Sequence, residues 1–513
     1  MPHGVKRGII MTKTKNTASE FIARSTHGIR SFFEGNLYPA LIAAGVLIGH
    51  VTALEFYFFI PIILSASVAL FICETSKPFI PVLLTFVYLV NLKHSPGFPS
   101  WSDYYTRTYV VVTAAVLFSL LFISAVYFYA RRIIPKMHPK KTPLFLPLTL
   151  LSAAFILNGI LTSGWKPINL VFGIAEAAVF FVLFYLFYYG LEKESINRLL
   201  DYVCYVSLLA ATVLFGEIIF MYLTNDAIFS EAGTLRKESI SLGWGISNPI
   251  GNALVILIPM LMLGAARCRY APVYLIATLF TSLATFMTLS RNAIILCGII
   301  LTASFITIYM MSDIRKPMAI TFGTGVGLLL IAALIFADKL TELLSYFSSA
   351  GTTDSGRFKL WSDSFKNFLS APVFGRGFFD WGDMSGNEMA SFLPNMSHNT
   401  FFQLISSMGI LGLGSYAYYR VKSMLPFFKR ISREKLMLLY SVLVLLLGSL
   451  FDNFIFYFHS AFLYVLVLAI VFRMNDYEEE WIKSHADDDS YGDGNTDDDV
   501  REDEEDEDDD YYI

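Results

Sequence analysis

Long apolar stretches run along the chain from about residue 37 to residue 472, and short polar stretches separate them. An α-helix needs about 20 predominantly apolar residues to cross a hydrocarbon core about 30 Å thick. Continuous apolar runs favour helices, because the strands of a membrane β-barrel would be shorter and would alternate in hydrophobicity. The runs lie at 37–52, 54–72, 79–93, 107–130, 143–163, 167–190, 199–223, 249–266, 272–289, 292–311, 318–337, 399–421, 436–451 and 455–472. The pattern therefore predicts an all-α polytopic membrane protein with about 12–14 transmembrane helices and one large external loop that contains short helices.

The polar connections between the runs alternate in charge, and this alternation predicts how the chain is oriented. One set is rich in lysine and arginine: the N-terminal segment and the stretches "RRIIPKMHPKK", "RCR", "IRKP" and "KRISREK". Basic connections stay on the cytoplasmic side of a membrane. We therefore expect both termini in the cytoplasm, and a location in the cell (inner or cytoplasmic) membrane. The remaining connections, including 94–106, 224–248 and 338–398, are then external.

Composition agrees with this arrangement and divides the chain into five parts. Of the 513 residues, 55% are hydrophobic and only 16% are charged, which excludes a soluble protein of this size. The net charge of −5 originates in an acidic C-terminal run that repels itself and is predicted to be disordered. The predicted parts are a basic cytoplasmic segment 1–36, transmembrane helices 1–11 in 37–337, an external loop 338–398, helices 12–14 in 399–472, and a cytoplasmic acidic tail 473–513.

The predicted external loop has an internal pattern of its own. Phe358, Trp361 and Phe365 recur near helical spacing in "RFKLWSDSFKNFLS", whereas charged residues occupy the other side. This pattern predicts an amphipathic helix that lies along the membrane surface. Gly375 and Gly377 follow, and they permit tight backbone turns on either side of an arginine.

Four residues that suit the chemistry of anions or protons fall on the external side of this topology. Arg291 interrupts an apolar hairpin at its outer end, Arg357 opens the loop helix, and Arg376 lies between the two loop glycines. His398 stands where the loop gives way to an apolar run, and Asn399 follows it. Each has an ordinary alternative: an arginine can extend to lipid head groups, and a boundary histidine can be structural. Together they predict an anion site with a proton acceptor beside it.

Two further polar residues lie inside apolar runs. Asn252 follows Asn248 and Pro249, which are typical of a helix start, but lies one turn farther on. Glu217 lies about two turns from the external end of its run, and carboxylates inside a membrane are costly. Glu217 is therefore a candidate alternative base or arginine partner.

Four segments resemble, in order and spacing, the O-antigen ligase and O-antigen polymerase family of membrane glycosyltransferases. They read "SLGWGISNPIGNALVILIP", "LSRNA", "SGRFKLWSDSFKNFLSAPVFGRGF" and "SHNTFFQLISSMGILG", and they cover about residues 236–415. The chain departs from the family in that its second asparagine, Asn252, is displaced from an Asn-Pro-Asn triplet. Fourteen predicted spans, against the dozen common among the ligases, favour a polymerase or a related capsule-type member.

The resemblance implies a GT-C-like fold and glycan transfer at the outer face of the membrane. The donor would be a glycan on an undecaprenyl-diphosphate carrier, and the acceptor a hydroxyl of a glycan or lipid. It assigns Arg291 and Arg357 to the diphosphate and His398 to general-base catalysis. Arg376, Asn399, Asn252 and Glu217 are candidate substrate-binding residues. We expect membrane lipids around the chain, no nucleic-acid partner, no cofactor and no metal, because no external cluster has metal-ligand spacing.

Three other functions fit the same sequence in part. A flippase of lipid-linked glycans would also carry arginines for diphosphate, but it should place ionisable residues along the middle of several spans. A protein O-oligosaccharyltransferase would use the same donor and a protein hydroxyl. A scaffold of a polysaccharide-export complex would bind glycan without transferring it. The gathering of charges at one rim favours an enzyme.

Overall fold

Helices form almost the whole of the described chain. The computed structural model describes residues 27–89, 107–163, 165–228, 236–335, 356–379 and 397–489, and this part contains no named β-strand. In chain order the α-helices are α1 His27–Glu34, α2 Leu37–Val51, α3 Glu55–Ile72, α4 Phe79–Leu89, α5 Thr108–Phe128, α6 Phe145–Leu161, α7 Pro167–Ala177, α8 Leu183–Gly190, α9 Ile196–Thr224, α10 Ser247–Val255, α11 Ile258–Arg267, α12 Ala271–Met287, α13 Arg291–Met311, α14 Arg315–Ile335, α15 Arg357–Ser370, α16 Thr400–Met424, α17 Arg433–Gly448 and α18 Phe458–Asp489.

The prediction of an all-α polytopic membrane protein is confirmed. Every predicted span coincides with a helix, or with a pair such as α7 and α8, which a π-helical turn at Ala178–Val182 joins. Among the described residues, seven helices are long and apolar enough to cross a membrane, or eight if α1 and α2, bent by 59°, form one span. The apolar helices α4, α6 and α12 have only 10–17 residues, so the number of 12–14 crossings stays a prediction.

The helices differ in how completely their neighbours cover them. The unit α10–α11 is buried on nearly all sides, and α9, α12, α13 and α17 pack around it. Helix α5, by contrast, is peripheral and leaves most of its apolar side chains exposed. A helix that is apolar all round needs an apolar environment on every side. Other helices supply that environment for α10–α11, and the hydrocarbon of the membrane supplies it for α5.

Helix α16 is broken at Gly409, where the backbone has a left-handed φ of +63°. Residues 371–379, which we call the docked segment, enter this break: Pro372 O accepts a hydrogen bond from Ile410 N at 2.9 Å. A Cβ atom at Gly409 would lie 2.4 Å from Val373 O, so only glycine fits. The backbone of the docked segment therefore approaches this helix closely at Gly409, where there is no side chain to prevent it.

The C-terminal boundary differs from the prediction. Residues 473–489, which fall within the predicted disordered tail, continue helix α18 as far as Asp489. Acidic side chains of this extension pair with the rest of the protein: Tyr188 Oη donates to Asp476 at 2.6 Å, and Lys435 Nζ donates to Glu478 at 2.7 Å. These contacts hold the first two turns of the extension against the rest of the protein. The remainder of the predicted tail, the predicted segment 1–26 and loop residues 338–355 and 380–396 lie outside the described residues.

Candidate functional site

His398 lies directly before α16, with its backbone in the left-handed region at φ +49°. This conformation is uncommon for a residue other than glycine and costs free energy, so surrounding contacts must hold it. The preceding residue, Ser397, supplies them: its N–H donates to Gln403 Oε1 at 2.9 Å, and its carbonyl accepts from Trp361 Nε1 at 3.0 Å. The side chain of His398 remains 38% exposed, so a substrate can reach the ring.

The ring of His398 contacts a buried carboxylate. His398 Nδ1 lies 3.1 Å from Oδ1 of Asp452, whose side chain is only 3% exposed. Asp452 lies in the turn between α17 and α18, where it also accepts hydrogen bonds from Asn453 N at 2.8 Å and Tyr457 Oη at 3.2 Å. The Oδ2 atom lies 3.5 Å from Asn248 Nδ2.

These contacts favour the ionised form of Asp452. Burial acts to raise the pKa of Asp452, but the hydrogen bond and charge of His398, with the N–H groups of Asn453 and Asn248, hold that pKa below its ordinary value. The carboxylate therefore stays ionised at neutral pH and can only accept. The proton of a neutral imidazole consequently lies on Nδ1, which leaves Nε2 as an acceptor for a substrate proton.

A short chain of hydrogen bonds joins this pair to the start of α13. Ser290 caps α13 and its Oγ donates to Asn248 Oδ1 at 2.9 Å, while Asn248 in turn donates to Asp452. Arg291 is the first residue of α13 and follows Ser290 directly. The fold thus brings Arg291 to the same end of the helix bundle as His398.

Helix α15 carries Arg357 in its first turn and packs on the start of α16. The indole of Trp361 stacks on the ring of Phe402 with centroids 5.3 Å apart, and Ser364 Oγ lies 2.9 Å from Ser397 Oγ. These contacts fix α15 against the residue that precedes His398. Arg357 therefore lies one helical turn before Trp361, which contacts the residue that precedes His398.

Arg376 lies in the docked segment between two glycines with left-handed φ angles, +71° at Gly375 and +88° at Gly377. Its N–H donates to Ser406 O at 2.9 Å, and Gly377 N donates to Ser407 O at 3.0 Å. A Cβ at Gly375 would come within 2.3 Å of the Ser407 backbone. The two glycines thus hold Arg376 against the N-terminal half of α16.

The docked segment is also fixed to the N-terminal half of the protein. Asn158 Nδ2, on α6, donates to Phe374 O at 2.7 Å. Asn169 Oδ1, on α7, accepts from Phe378 N at 2.8 Å and from Phe379 N at 3.2 Å. These asparagines are buried and satisfy backbone groups that would otherwise lack partners. Helices α6 and α7 therefore form part of the site's support.

Asn399 and Asn252 have structural contacts. The side-chain oxygen of Asn399 caps α16 by accepting from Phe401 N and Phe402 N, and its amide donates to Leu450 O at 2.9 Å. Asn252 is buried, and its Nδ2 donates to Asn248 O at 2.9 Å. Both residues hold helices of the site in place. Their substrate-binding roles stay predictions.

Glu217 lies within the buried part of the helix bundle. It is fully buried on α9, where it accepts from Trp244 Nε1 at 3.3 Å and lies 4.0 Å from His50 Nδ1. Trp244 packs edge-on against His459, with ring centroids 5.2 Å apart, and His459 stacks on Tyr457 at 6.0 Å. Glu217 thus joins the His398 site through a row of aromatic rings. Its role as base or substrate ligand stays a prediction.

Asp452 and Tyr457 belong to the site, although neither is among the candidate residues predicted from the sequence. A signal was present: "FDNF" places a carboxylate in a very short turn between two apolar runs, on the predicted side of His398. A buried acid on the same side as an isolated histidine is a natural partner for it. The sequence does not mark Asn158 and Asn169 in this way, because each lies near the end of an ordinary apolar run.

Comparison with known families gives one match. Residues 276–417 match the family described as O-Antigen ligase. The matched segment extends from α12 into α16 and includes Arg291, Arg357, Arg376 and His398. Asp452 and the asparagines of α6 and α7 lie outside it. No curated protein sequence matches the chain.

Proposed function

We propose that this chain, which its matched domain assigns to the O-antigen ligase/polymerase family, transfers a glycan from a polyprenyl-diphosphate carrier to an acceptor hydroxyl. The family assignment supports a membrane glycosyltransferase-like role in polysaccharide biosynthesis. The observation that carries the finer proposal is the pairing of His398 with the ionised Asp452, at the bundle end where Arg291 begins α13. The proposal includes transfer on the outer face of the cytoplasmic membrane, with both termini on the inner side.

His398 acts as the general base in this proposal. Its Nε2 accepts the proton of the acceptor hydroxyl while the hydroxyl oxygen attacks the anomeric carbon of the donor sugar. Asp452, 3.1 Å from Nδ1, stabilises the imidazolium that forms. General-base catalysis of this kind contributes typically about 10²–10⁴-fold to a rate.

The arginines act on the leaving group. As the bond from the anomeric carbon to the diphosphate oxygen breaks, that oxygen gains negative charge and leaves as lipid diphosphate. Guanidinium groups bind phosphate oxygens through two parallel hydrogen bonds and stabilise developing charge. We assign Arg291 and Arg357 to the diphosphate, and Arg376, held against α16, to a supporting position.

Cations from the chain itself make the proposed transfer independent of a metal ion. Guanidiniums supply the positive charge that a divalent cation supplies in many diphosphate-using enzymes. The proposal accordingly expects full activity after treatment with a chelator such as EDTA. A rate that falls on chelation and returns with Mg²⁺ or Mn²⁺ would contradict this part of the proposal.

The test is transfer by purified protein in liposomes that contain a defined lipid-linked glycan and a glycan acceptor. We expect wild type to form the transferred product, and Arg291→Ala, Arg357→Ala and His398→Ala to lose at least about two orders of magnitude in rate. Lys359→Ala is the matched control, since Lys359 is an exposed cation on the same helix as Arg357. Wild-type rates in all three variants would overturn the proposal.

The same liposomes separate the competing functions. Movement of the lipid-linked glycan between leaflets without any product would identify a flippase. Product only with a protein acceptor would identify a protein O-oligosaccharyltransferase. Lengthened glycan chains on the carrier lipid would identify a polymerase, and chains moved to a different lipid would identify a ligase.

A further inference from the structure

A cavity of about 220 Å³ lies where α1, the end of α3 and the end of α5 meet. Its walls carry three guanidinium groups, those of Arg30, Arg131 and Arg132, beside the apolar side chains of Leu70 and Phe71. Pockets that enclose a drug-sized molecule occupy about 300–1,000 Å³. A cavity of this smaller size suits a compact group such as a phosphate.

The cavity is strongly cationic. Glu74 pairs with Arg30 Nη1 at 3.1 Å and with Arg132 Nη2 at 3.8 Å, but it also pairs with Lys193. Glu34, on α1, also interacts with the charge of Arg30. Arg131 forms no salt bridge within the described ranges, and its Nη1 donates to Tyr127 Oη at 2.5 Å. No carboxylate of the described chain lines the cavity itself. The protein therefore leaves an excess of positive charge in a recess, which an anion would neutralise.

Local helix geometry builds this recess. A π-helical turn at Tyr129–Ile133 continues α5 and contains both Arg131 and Arg132. Arg30 Nε donates to Ile72 O at 2.9 Å, so α1 is fastened to the end of α3. The ring of Phe71 stacks on Tyr127 at 4.6 Å and closes the wall between α3 and α5. Three helices thus fix three cations around one space.

The surroundings of the cavity are those of a membrane boundary. Phe71 lines the cavity and is exposed; Ile29 and Val126, which adjoin the lining residues Arg30 and Tyr127 in the chain, are also exposed large apolar side chains. Their exposure suits contact with acyl chains, while arginines at such a boundary extend to phosphate head groups. We therefore expect an anion in the cavity to be a phosphate group that is attached to hydrocarbon chains.

The cavity lies far from the His398 site. Helix α9 begins next to Lys193, which pairs with Glu74 at the cavity end, and it ends near Trp244 at the His398 end. Its 29 residues span about 43 Å at 1.5 Å per residue. The two sites are thus at opposite ends of the bundle, and the cavity has no part in the transfer proposed above.

We propose that this cavity binds the phosphodiester of an anionic phospholipid, with Arg131 and Arg132 as its principal ligands and the acyl chains against Phe71 and Val126. The inference is independent of the glycan-transfer proposal. Under the predicted orientation, the lipid belongs to the inner leaflet.

The test measures how strongly the purified protein prefers phosphatidylglycerol over phosphatidylcholine, by native mass spectrometry from mixed nanodiscs. Each arginine near an anionic membrane adds to the binding of anionic lipid. Arg131→Gln combined with Arg132→Gln should therefore weaken the preference about 30-fold, or about 2 kcal/mol at 1.4 kcal/mol per factor of ten. Lys140→Gln combined with Lys141→Gln is the matched control. Both lysines are exposed in the connection that follows α5, and neither lines the cavity.

A charge-preserving variant and a competition with inorganic phosphate distinguish a phospholipid site from misfolding and from a site for soluble phosphate. Arg131→Lys combined with Arg132→Lys keeps both charges, and we expect it to retain the preference within about threefold; this variant controls for misfolding. Equal retention of both lipids by wild type, or an unchanged preference in the glutamine variant, would overturn the proposal. Displacement of phosphatidylglycerol by inorganic phosphate at equal concentration would also overturn it, in favour of a soluble-phosphate site.

Discussion

His398 and Asp452 are 54 residues apart in the chain, yet His398 Nδ1 lies 3.1 Å from Asp452 Oδ1. The histidine precedes α16 and the aspartate follows α17, so the pair joins two helices at one end of the bundle. Because the carboxylate is buried and ionised, it fixes both the orientation of the ring and the position of its proton.

Asp452→Asn tests whether this carboxylate supports catalysis. The substitution preserves the shape of the side chain but removes the charge that stabilises an imidazolium, so we expect transfer to fall by about 10²–10⁴-fold. The measurement is the rate of transfer by liposome-reconstituted protein at equal protein amounts. Asp363→Asn is the control, since Asp363 pairs with Lys366 on the surface of α15. If Asp452→Asn transfers glycan as fast as its control, Asp452 has no part in the mechanism.

The break in α16 predicts a sharp difference between two glycines of the same helix. Gly409→Ala places a methyl group 2.4 Å from Val373 O on a backbone with φ +63°, whereas a Cβ at Gly414 meets no atom within 4 Å. Overpacking and left-handed strain together should destabilise Gly409→Ala by at least about 2 kcal/mol. Gly414→Ala should be neutral or slightly stabilising. Thermal unfolding in detergent compares them, and equal unfolding temperatures would argue against the docked segment.

Asn169→Ala tests how the docked segment is held. The change leaves Phe378 N and Phe379 N without their acceptor, at a cost of about 1–3 kcal/mol for each buried donor. We expect faster proteolysis near residue 376 and reduced transfer. Asn367→Ala is the control, because that side chain forms no hydrogen bond within the described ranges. Equal cleavage rates in the two variants would show that α7 does not hold the segment.

Arg291→Lys tests the need for a guanidinium. Lysine keeps the charge but cannot bind two phosphate oxygens in one plane, so we expect kcat/KM to fall at least about tenfold. Arg269→Lys, an exposed position in the connection between α11 and α12, should leave kcat/KM unchanged. Full activity of Arg291→Lys would reduce the role of this residue to a simple positive charge.

The depressed pKa of Asp452 predicts how the pair responds to acid. Since the folded pKa lies below the unfolded value of about 3.9, the stabilisation is complete above that value and is lost as pH falls through the folded pKa. The stability difference between wild type and Asp452→Asn should therefore not shrink between pH 8 and about pH 5, and it should decline only below about pH 4. Thermal unfolding of both proteins across this range measures it. A difference that vanishes by pH 6 would contradict the ionised, hydrogen-bonded carboxylate.

The sequence predicted helix α15 because its apolar residues recur at helical spacing, and it predicted the turn glycines around Arg376. It did not predict that α18 continues to Asp489, because local charge repulsion favours disorder and only contacts such as Tyr188 with Asp476 reverse that tendency. Similarly, no local pattern distinguishes Asn158 and Asn169 from ordinary helix residues. Their importance arises from backbone groups more than 200 residues away.

The sequence by itself determined that the chain consists of apolar helices in a membrane, because a backbone in hydrocarbon must satisfy its hydrogen bonds within each helix. It also located Arg291, Arg357 and His398 at or near the starts of helices, where a charged group is less costly than farther inside the membrane. Only the tertiary structure decided that Asp452 meets His398 and that the docked segment enters the break at Gly409. Such contacts depend on how distant helices pack, and no local pattern of apolar and polar residues specifies them.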